Sequence, residues 1–255
     1  MSRHILILGG TSGMGLALAQ AHAHLGWRIS VVGSSADKVA HLQAQQPEWG
    51  VYRADLGDEG QRQALFAKLD ALAPFERVVY AAGVYANERR FDLSAEESTT
   101  MLAINVQAFQ AAFAWAAQRV AGKEAALVCF SSIAALVDYP YTSLYAQCKR
   151  AMWHTAAAYR TALAPRQVAV LAVASGYVDT AKLRQLNGGN ATHKPFIVSE
   201  QRAVNEIMAA LNARRDVAIF PKRMRVACAL LNMLPQWAVG KIMRHKLDAK
   251  VLANK

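Results

Sequence analysis

The stretch of sequence that decides the fold is residues 4–21, which read HILILGGTSGMGLALAQA. A short apolar run leads into a glycine-rich turn and then into good helix formers, which is the context of a dinucleotide-binding motif. Gly9 permits a tight turn, Gly13 lets the backbone approach a pyrophosphate, and Gly15 lets the helix pack closely on the strand. The start of the helix offers free N–H groups and a positive dipole end to phosphates. The predicted loop contacts are Gly9, Thr11, Ser12, Gly13, Met14 and Gly15.

Further units of strand and helix follow along the chain. Strands are predicted near residues 3–8, 28–33, 50–53, 76–81, 125–131, 167–174 and 216–220, and helices near residues 13–25, 36–45, 59–72, 95–119, 143–163 and 200–213. Repeated βα units predict one parallel sheet with helices on both faces, because such crossovers are right-handed. Ligands bind outside the carboxyl ends of these strands, so we expect the chemistry on one rim. Four residues that follow strand ends mark this rim: Gly9, Ala82, Ser132 and Gly176.

Tyr145 and Lys149 lie four residues apart, and Ser132 lies thirteen residues before the tyrosine. On a helix, positions i and i+4 share a face, so the phenol and the ammonium can share a site. A neighbouring ammonium favours the phenolate, which predicts a lowered pKa for Tyr145. A serine hydroxyl within reach can hold a carbonyl or alcohol oxygen. The three groups suit hydride chemistry at a carbonyl, although a Tyr-x-x-x-Lys pair alone also occurs by chance in many helices.

Taken together, the glycine loop and the Ser-Tyr-Lys set resemble the short-chain dehydrogenase/reductase family over about residues 3–220. The resemblance implies a Rossmann-type, doubly wound α/β fold with a parallel sheet of about seven strands. It also implies NAD(P)-dependent interconversion of a carbonyl and an alcohol. In this family pattern Tyr145 passes the proton, Lys149 lowers its pKa and holds the nicotinamide ribose, and Ser132 orients the substrate oxygen. Asn105 resembles the catalytic asparagine, which holds a proton-relay water.

The same resemblance implies further cofactor contacts. Asp55 and Leu56, after the third strand, match the position that contacts the adenine ring, and the segment from Gly176 to Thr180 lies beside the nicotinamide. The implied contacts beyond the glycine loop are Ser34, Ser35, Asp55, Leu56, Ala82, Gly83, Tyr145, Lys149, Gly176, Val178 and Thr180.

Three positions depart from the family pattern. Leu8 stands where threonine is usual, Tyr80 begins a Tyr-Ala-Ala-Gly stretch in place of Asn-Asn-Ala-Gly, and Ser175 replaces a proline. The hydrogen bonds that steady the central strand must therefore come from elsewhere. None of the three departures removes a catalytic group.

The choice of nicotinamide cofactor is expected to depend on the residues after the second strand. An acid there would bond the ribose 2′-hydroxyl of NAD, but this chain has Ser34 and Ser35. Serine hydroxyls can donate to a 2′-phosphate, and Lys38 or Arg53 can add charge, which favours NADP. NAD stays possible if Asp37 turns back towards the ribose.

Composition indicates one intracellular domain. Of the 255 residues, 54% are hydrophobic and 18% are charged, which excludes a disordered protein. The three cysteines are scattered and no signal peptide precedes the first strand, so we expect a reducing, cytoplasmic location. The seven histidines show no ligand spacing, and no basic patch carries base-stacking aromatics. We therefore expect neither a metal site nor nucleic-acid binding.

Much of the net charge of +11 lies in residues 221–255, which we separate from a catalytic domain at 1–220 as a basic, amphipathic extension. Its apolar runs are too short and interrupted to cross a membrane. The extension either packs over the substrate pocket or a neighbouring subunit, or lies on an anionic membrane surface. Two other functions therefore stay open: a dinucleotide-binding sensor or scaffold with little turnover, and a membrane-surface reductase of a lipid-like substrate.

Two further expectations concern a lid and assembly. Residues 181–199 contain an Asn-Gly-Gly-Asn run and are expected to cover the site as a mobile lid. The segment 96–119 and the alanine-rich helix after Ser143 are expected to cover the sheet with one face. Small residues on a second face would let a neighbouring subunit approach, giving a homodimer or homotetramer.

Overall fold

A computed structural model describes residues 3–86, 93–139 and 142–251, and for residues 244–251 it describes the backbone alone. Its seven strands are β1 His4–Leu8, β2 Arg28–Gly33, β3 Gly50–Arg53, β4 Arg77–Tyr80, β5 Ala126–Phe130, β6 Ala169–Ser175 and β7 Val217–Phe220. They form one sheet in the order β3-β2-β1-β4-β5-β6-β7, and every neighbouring pair is parallel. The predicted doubly wound sheet is confirmed.

The helices are α1 Gly13–Ala23, α2 Ala36–Gln45, α3 Glu59–Asp70, α4 Ala95–Leu102, α5 Phe109–Ala117, α6 Leu144–Leu163, α7 Ala181–Gln185, α8 Glu200–Asn212, α9 Lys222–Asn232 and α10 Gln236–Val251. Side-chain caps fix several helix starts. In α4, for example, Ser94 and Glu97 form a reciprocal capping box.

Helices cover both faces of the sheet, and alternate residues of each strand point to opposite faces. In β1, Leu6 and Leu8 pack with residues of α3, α5 and α6, whereas Ile5 and Ile7 pack with residues of α1, α2 and α8. Most strand residues are therefore apolar, and the buried exceptions within the strands include His4, Ser30 and Arg77. This arrangement leaves only the strand ends and their loops available for chemistry.

The predicted helix at 95–119 is interrupted, because a single π-helical turn, Ala103–Ala108, separates α4 from α5. The C-terminal extension forms two helices, α9 and α10, and its residues 252–255 lie outside the described part. Among the described residues, no helix has the length and hydropathy needed to cross a membrane.

Candidate active site

The glycine loop lies at the carboxyl end of β1, against the end of β4. Gly9 has a φ of +89°, and a Cβ on it would lie 2.4 Å from the backbone nitrogen of Ala82. A Cβ on Gly15 would lie 2.2 Å from the Gly9 carbonyl oxygen, so α1 packs on the turn as its spacing predicts. Gly13 adopts a φ of +54°, a conformation that favours glycine.

The start of α1 keeps polar groups available for an anion. Ser12 is the exposed N-cap residue, and its hydroxyl makes no capping hydrogen bond. Thr11 packs against the end of β2, where a Cβ on Gly33 would meet the Thr11 Oγ1 at 2.1 Å. Met14 instead packs partly against the core. Backbone N–H groups and a free hydroxyl at a helix N-terminus fit a pyrophosphate.

The loop after β2 brings a cation beside the two serines. Ser34 is exposed, and its carbonyl oxygen accepts a hydrogen bond of 3.4 Å from Nε of Arg53 on β3. Ser35 caps α2, with its Oγ accepting from the Lys38 backbone nitrogen at 3.4 Å. Asp37 is exposed in the first turn of α2. Hydroxyls with a neighbouring guanidinium fit a phosphate on a ribose.

The predicted adenine contacts differ from one another in exposure. Asp55 is exposed, and its Oδ1 accepts from the Gly57 backbone nitrogen at 2.9 Å. The Leu56 side chain is buried in the core, so only its backbone can face a ligand.

Asn105 lies within the π-helical turn and is fully buried. Its Nδ2 donates to the Val84 carbonyl oxygen at 2.8 Å, and its Oδ1 accepts from the Val84 backbone nitrogen at 3.2 Å. The Tyr80 hydroxyl donates to the Ile104 carbonyl oxygen at 2.6 Å. This bond connects the central strand β4 to the turn that carries Asn105. Tyr80, which stands in place of the usual asparagine, therefore supplies a hydrogen bond that steadies the strand. π-Helical turns often occur at functional sites.

Lys149 reaches the same point from α6. Its Nζ donates to the Phe130 carbonyl oxygen at 2.9 Å, and the Ser131 hydroxyl donates to the Lys149 carbonyl oxygen at 2.8 Å. A Cβ on Gly83 would lie 3.2 Å from both the Lys149 Nζ and the Asn105 Oδ1. Burial lowers the pKa of Lys149 to about 8.

Tyr145 lies beside Ser132, but the prediction of a lowered pKa is wrong. Burial raises the pKa of the Tyr145 phenol to about 12, and a hydrogen bond with the Ser132 side chain offsets part of that rise. The Lys149 Nζ lies 5.8 Å from the centre of the tyrosine ring and is bonded to the Phe130 carbonyl oxygen. The ammonium therefore does not outweigh the loss of solvent around the phenol.

The segment after β6 closes the rim. The Gly176 backbone nitrogen donates to the Phe220 carbonyl oxygen at 2.8 Å, and Val178 is buried in the core. Thr180 caps α7, and its Cγ2 would lie 3.7 Å from a Cβ on Gly13. The last predicted segment is therefore adjacent to the glycine loop.

Lys182 and Tyr85, which belong to no motif in the sequence, also reach the site. The Lys182 Nζ donates to the Gly83 carbonyl oxygen at 3.2 Å, so the segment after Thr180 contacts the loop that follows β4. The Tyr85 ring packs edge-on against Tyr145 at 5.1 Å between ring centres. In the sequence, Lys182 is distinguished only by its position two residues after Thr180, which caps α7. Tyr85 carried no periodic signal.

The chain is similar in sequence to known oxidoreductases. A family model described as short chain dehydrogenase matches residues 3–191. An NADP-dependent (R)-specific alcohol dehydrogenase of Lentilactobacillus kefiri is 28% identical over 191 residues, which cover 72% of this chain and 76% of that protein. A 3-dehydrosphinganine reductase of Arabidopsis thaliana is 29% identical over 109 residues, 41% of this chain and only 32% of the reductase.

Solved structures share the fold. A short-chain dehydrogenase from Sphingobium yanoikuyae in complex with NADPH superposes with a TM-score of 0.77 at 20% identity, covering 90% of this chain and 92% of that one. The protein ElxO with NADP bound gives a TM-score of 0.73 at 18% identity, covering 86% of this chain and 97% of that one. At these identities the likeness concerns the fold alone.

Proposed function

The chain belongs to the short chain dehydrogenase family and is an NAD(P)-dependent oxidoreductase, and from this premise we propose that it transfers hydride between NADP(H) and a small carbonyl or alcohol substrate. The observation that carries the proposal is the convergence of the Lys149 Nζ and the Asn105 Oδ1 above Gly83, beside the Tyr145 and Ser132 pair. The glycine loop and the central strand end at this same point. A site for a reacting carbon therefore adjoins a site for a dinucleotide.

The chain's residues fit the dinucleotide. Gly9 lets the loop approach the end of β4, Gly13 adopts the positive φ that the turn needs, and the α1 N-terminus supplies N–H groups for the pyrophosphate. Ser34 and the adjacent Arg53 guanidinium favour a ribose 2′-phosphate, which supports NADP, as does the NADP-dependent alcohol dehydrogenase relative. When bound, the cofactor supplies or accepts the hydride.

The catalytic set then handles the proton. With a pKa of about 12, the Tyr145 phenol is protonated at neutral pH and can donate to the oxygen of a carbonyl being reduced. Lys149, with a pKa of about 8, is mostly an ammonium at neutral pH and stabilises the phenolate that proton donation leaves. Ser132 orients the substrate oxygen, and Asn105 holds the water that returns a proton. We further propose that residues 181–199 close over this site as a lid, anchored by Lys182.

A dinucleotide-binding scaffold would need neither Ser132 nor Tyr145. Oxidation of NADPH, followed by absorbance over a panel of ketones and aldehydes, separates the two functions. We expect turnover with at least one carbonyl class. Tight NADPH binding without turnover on any of them would favour the scaffold.

Ser34→Asp is expected to weaken NADPH binding about tenfold or more, because the carboxylate repels the 2′-phosphate. NADH, which lacks that phosphate, should bind as well as before or better. Fluorescence titration of each cofactor measures the effect. Asn212→Asp, which adds the same charge at the amino edge of the sheet, is the matched control. Tighter binding of NADH than of NADPH by the wild type would contradict the assignment to NADP.

We also propose a homodimer or homotetramer built on α4, α5 and α6. The predicted inner face is buried, including Met101, Ala112 and Met152, whereas Ala114 of α5 and Ala158 of α6 are exposed small residues. Close helix approach between subunits needs such residues. Cys129, Cys148 and Cys228 are buried at positions scattered through the fold, which supports a reducing, cytoplasmic location.

Ala114→Arg is expected to shift the protein to a monomer, because the long cation blocks close helix packing. Light scattering at micromolar concentration measures the mass. Ala40→Arg on the exposed face of α2 should leave the assembly unchanged. A monomeric wild type would rule out this interface.

A further inference from the structure

The outer face of α9 is apolar, contrary to the usual pattern of a surface helix. Val226, Leu230 and Met233 are all exposed and lie at i, i+4 and i+7, so they share one face. Met233 is 80% exposed, and Trp237 at the start of α10 is 71% exposed. The opposite side of α9, through Cys228, already packs against the rest of the chain. The exposed face is therefore additional to what folding requires.

The same segment carries positive charge without acids. From residue 217 to residue 247 the sequence contains no aspartate or glutamate. Lys222, Arg223, Arg225 and Lys241 are exposed, and none of the ion pairs found among the described residues involves them. The apolar face is thus bordered by cations that no acid of this region neutralises.

This surface adjoins the candidate active site. The Asn232 Nδ2 donates to the Leu136 carbonyl oxygen at 2.7 Å, just after the turn that Ser132 caps. The Arg223 guanidinium lies 6.0 Å from the ring centre of Phe196, an exposed lid residue. α9 therefore contacts two segments that neighbour the candidate site, the turn after Ser132 and residues 181–199.

We propose that this face of α9 and α10, defined by Val226, Leu230, Met233 and Trp237 with the bordering cations, lies on the surface of an anionic lipid bilayer. Apolar side chains, an exposed tryptophan and uncompensated cations are what such a surface binds. α9 is about 16 Å long, too short to cross a hydrocarbon core of about 30 Å, so it lies in the interface.

A second copy of the chain fits this face less well. A two-fold contact places the same patch against itself, so the cations of both copies would meet without acids between them. Anionic lipid headgroups supply the missing negative charge. The inference rests on this charge and exposure and does not depend on the cofactor or on the catalytic residues.

Co-sedimentation of the full chain with vesicles tests the role of charge. We expect binding to phosphatidylcholine vesicles that contain phosphatidylserine, little binding to pure phosphatidylcholine, and weaker binding at high salt. Replacing Lys222, Arg223 and Arg225 together by glutamine should lower the partition coefficient about tenfold or more. The matched control removes three exposed cations elsewhere: Lys68, Lys123 and Arg215, each replaced by glutamine.

A double variant, Met233→Ser with Trp237→Ser, tests the contribution of the apolar side chains to binding. The matched control is Leu25→Ser, which changes an exposed leucine after α1. The first pair should reduce binding to anionic vesicles, and the control should not. Wild-type tryptophan emission should shift to shorter wavelength on these vesicles, and Trp237→Ser should abolish the shift. Melting temperatures near that of the wild type show that each variant is folded.

Two results would overturn the proposal. One is equal vesicle binding by the wild type and both sets of α9–α10 variants. The other is a lipid-free oligomer that these same variants convert to monomer, which would assign the face to a second copy.

Discussion

Tyr145→Phe is expected to lower kcat for carbonyl reduction about a thousandfold, because it deletes the transferable proton and little else. The phenylalanine ring keeps the edge-on packing against Tyr85 and the position on α6. Cofactor affinity should therefore remain near that of the wild type. Steady-state oxidation of NADPH measures the loss, and fluorescence titration measures the affinity.

Tyr85→Phe is the matched control, since it removes a hydroxyl from the ring that contacts Tyr145. Its kcat should stay within about tenfold of the wild type, because Tyr85 lines the site without passing the proton. If Tyr145→Phe retained more than a tenth of the activity, Tyr145 would have no place in the proton transfer.

The strands were the most predictable part of this protein. Most are short runs rich in apolar residues between polar or glycine-containing segments, and β2 and β3 begin and end where the sequence predicts. The order of motifs along the chain then determined the rim, because every parallel strand of the sheet ends on the same side. The approach of Gly9 to Ala82 follows from that topology alone.

The fine geometry of the site could not be read in the same way. An i→i+5 turn at Asn105 has the same residue pattern as a continuous helix, and it is held by partners distant in sequence, such as Val84. The prediction of a lowered pKa for Tyr145 was wrong for a related reason. The direction of the pKa shift depends on two opposing effects: burial of the phenol raises the pKa, and a nearby Lys149 ammonium lowers it. The i, i+4 spacing indicates only that the ammonium is near and says nothing about burial.

At the amino edge of the sheet, His22 and Arg77 are buried against each other, and no sequence motif predicts this contact. The His22 Nδ1 contacts the Leu18 carbonyl oxygen at 2.8 Å, and its Nε2 lies 2.9 Å from the Arg77 Nη1. Arg77 can only donate, so Nε2 must accept and the proton of the neutral ring lies on Nδ1. Arg77 also pairs with Glu124. Protonating His22 would thus set two cations against each other in the interior.

Acidification is therefore expected to destabilise the fold between pH 6.5 and about 4. Burial lowers the pKa of His22 and of His4 to about 4 from an unfolded value of 6.5. Well above pH 6.5 both rings are neutral in both states, and this contribution to stability is complete. As the pH falls, the two histidines are protonated in the unfolded chain but stay neutral in the folded chain. By pH 4 this difference lowers the free energy of unfolding by roughly 3 kcal/mol for each histidine. Urea unfolding across this range measures the loss.

His22→Gln isolates one of the two contributions. The variant is expected to be less stable than the wild type at pH 7, because it disturbs the bonds to Leu18 and Arg77, but its stability should fall less on going to pH 4. Comparing the two pH profiles removes the titration of carboxylates, which both proteins share. His24→Gln, at an exposed position just after α1, should keep the full wild-type slope. Identical slopes for His22→Gln and the wild type would show that His22 is not held neutral by its buried position beside Arg77.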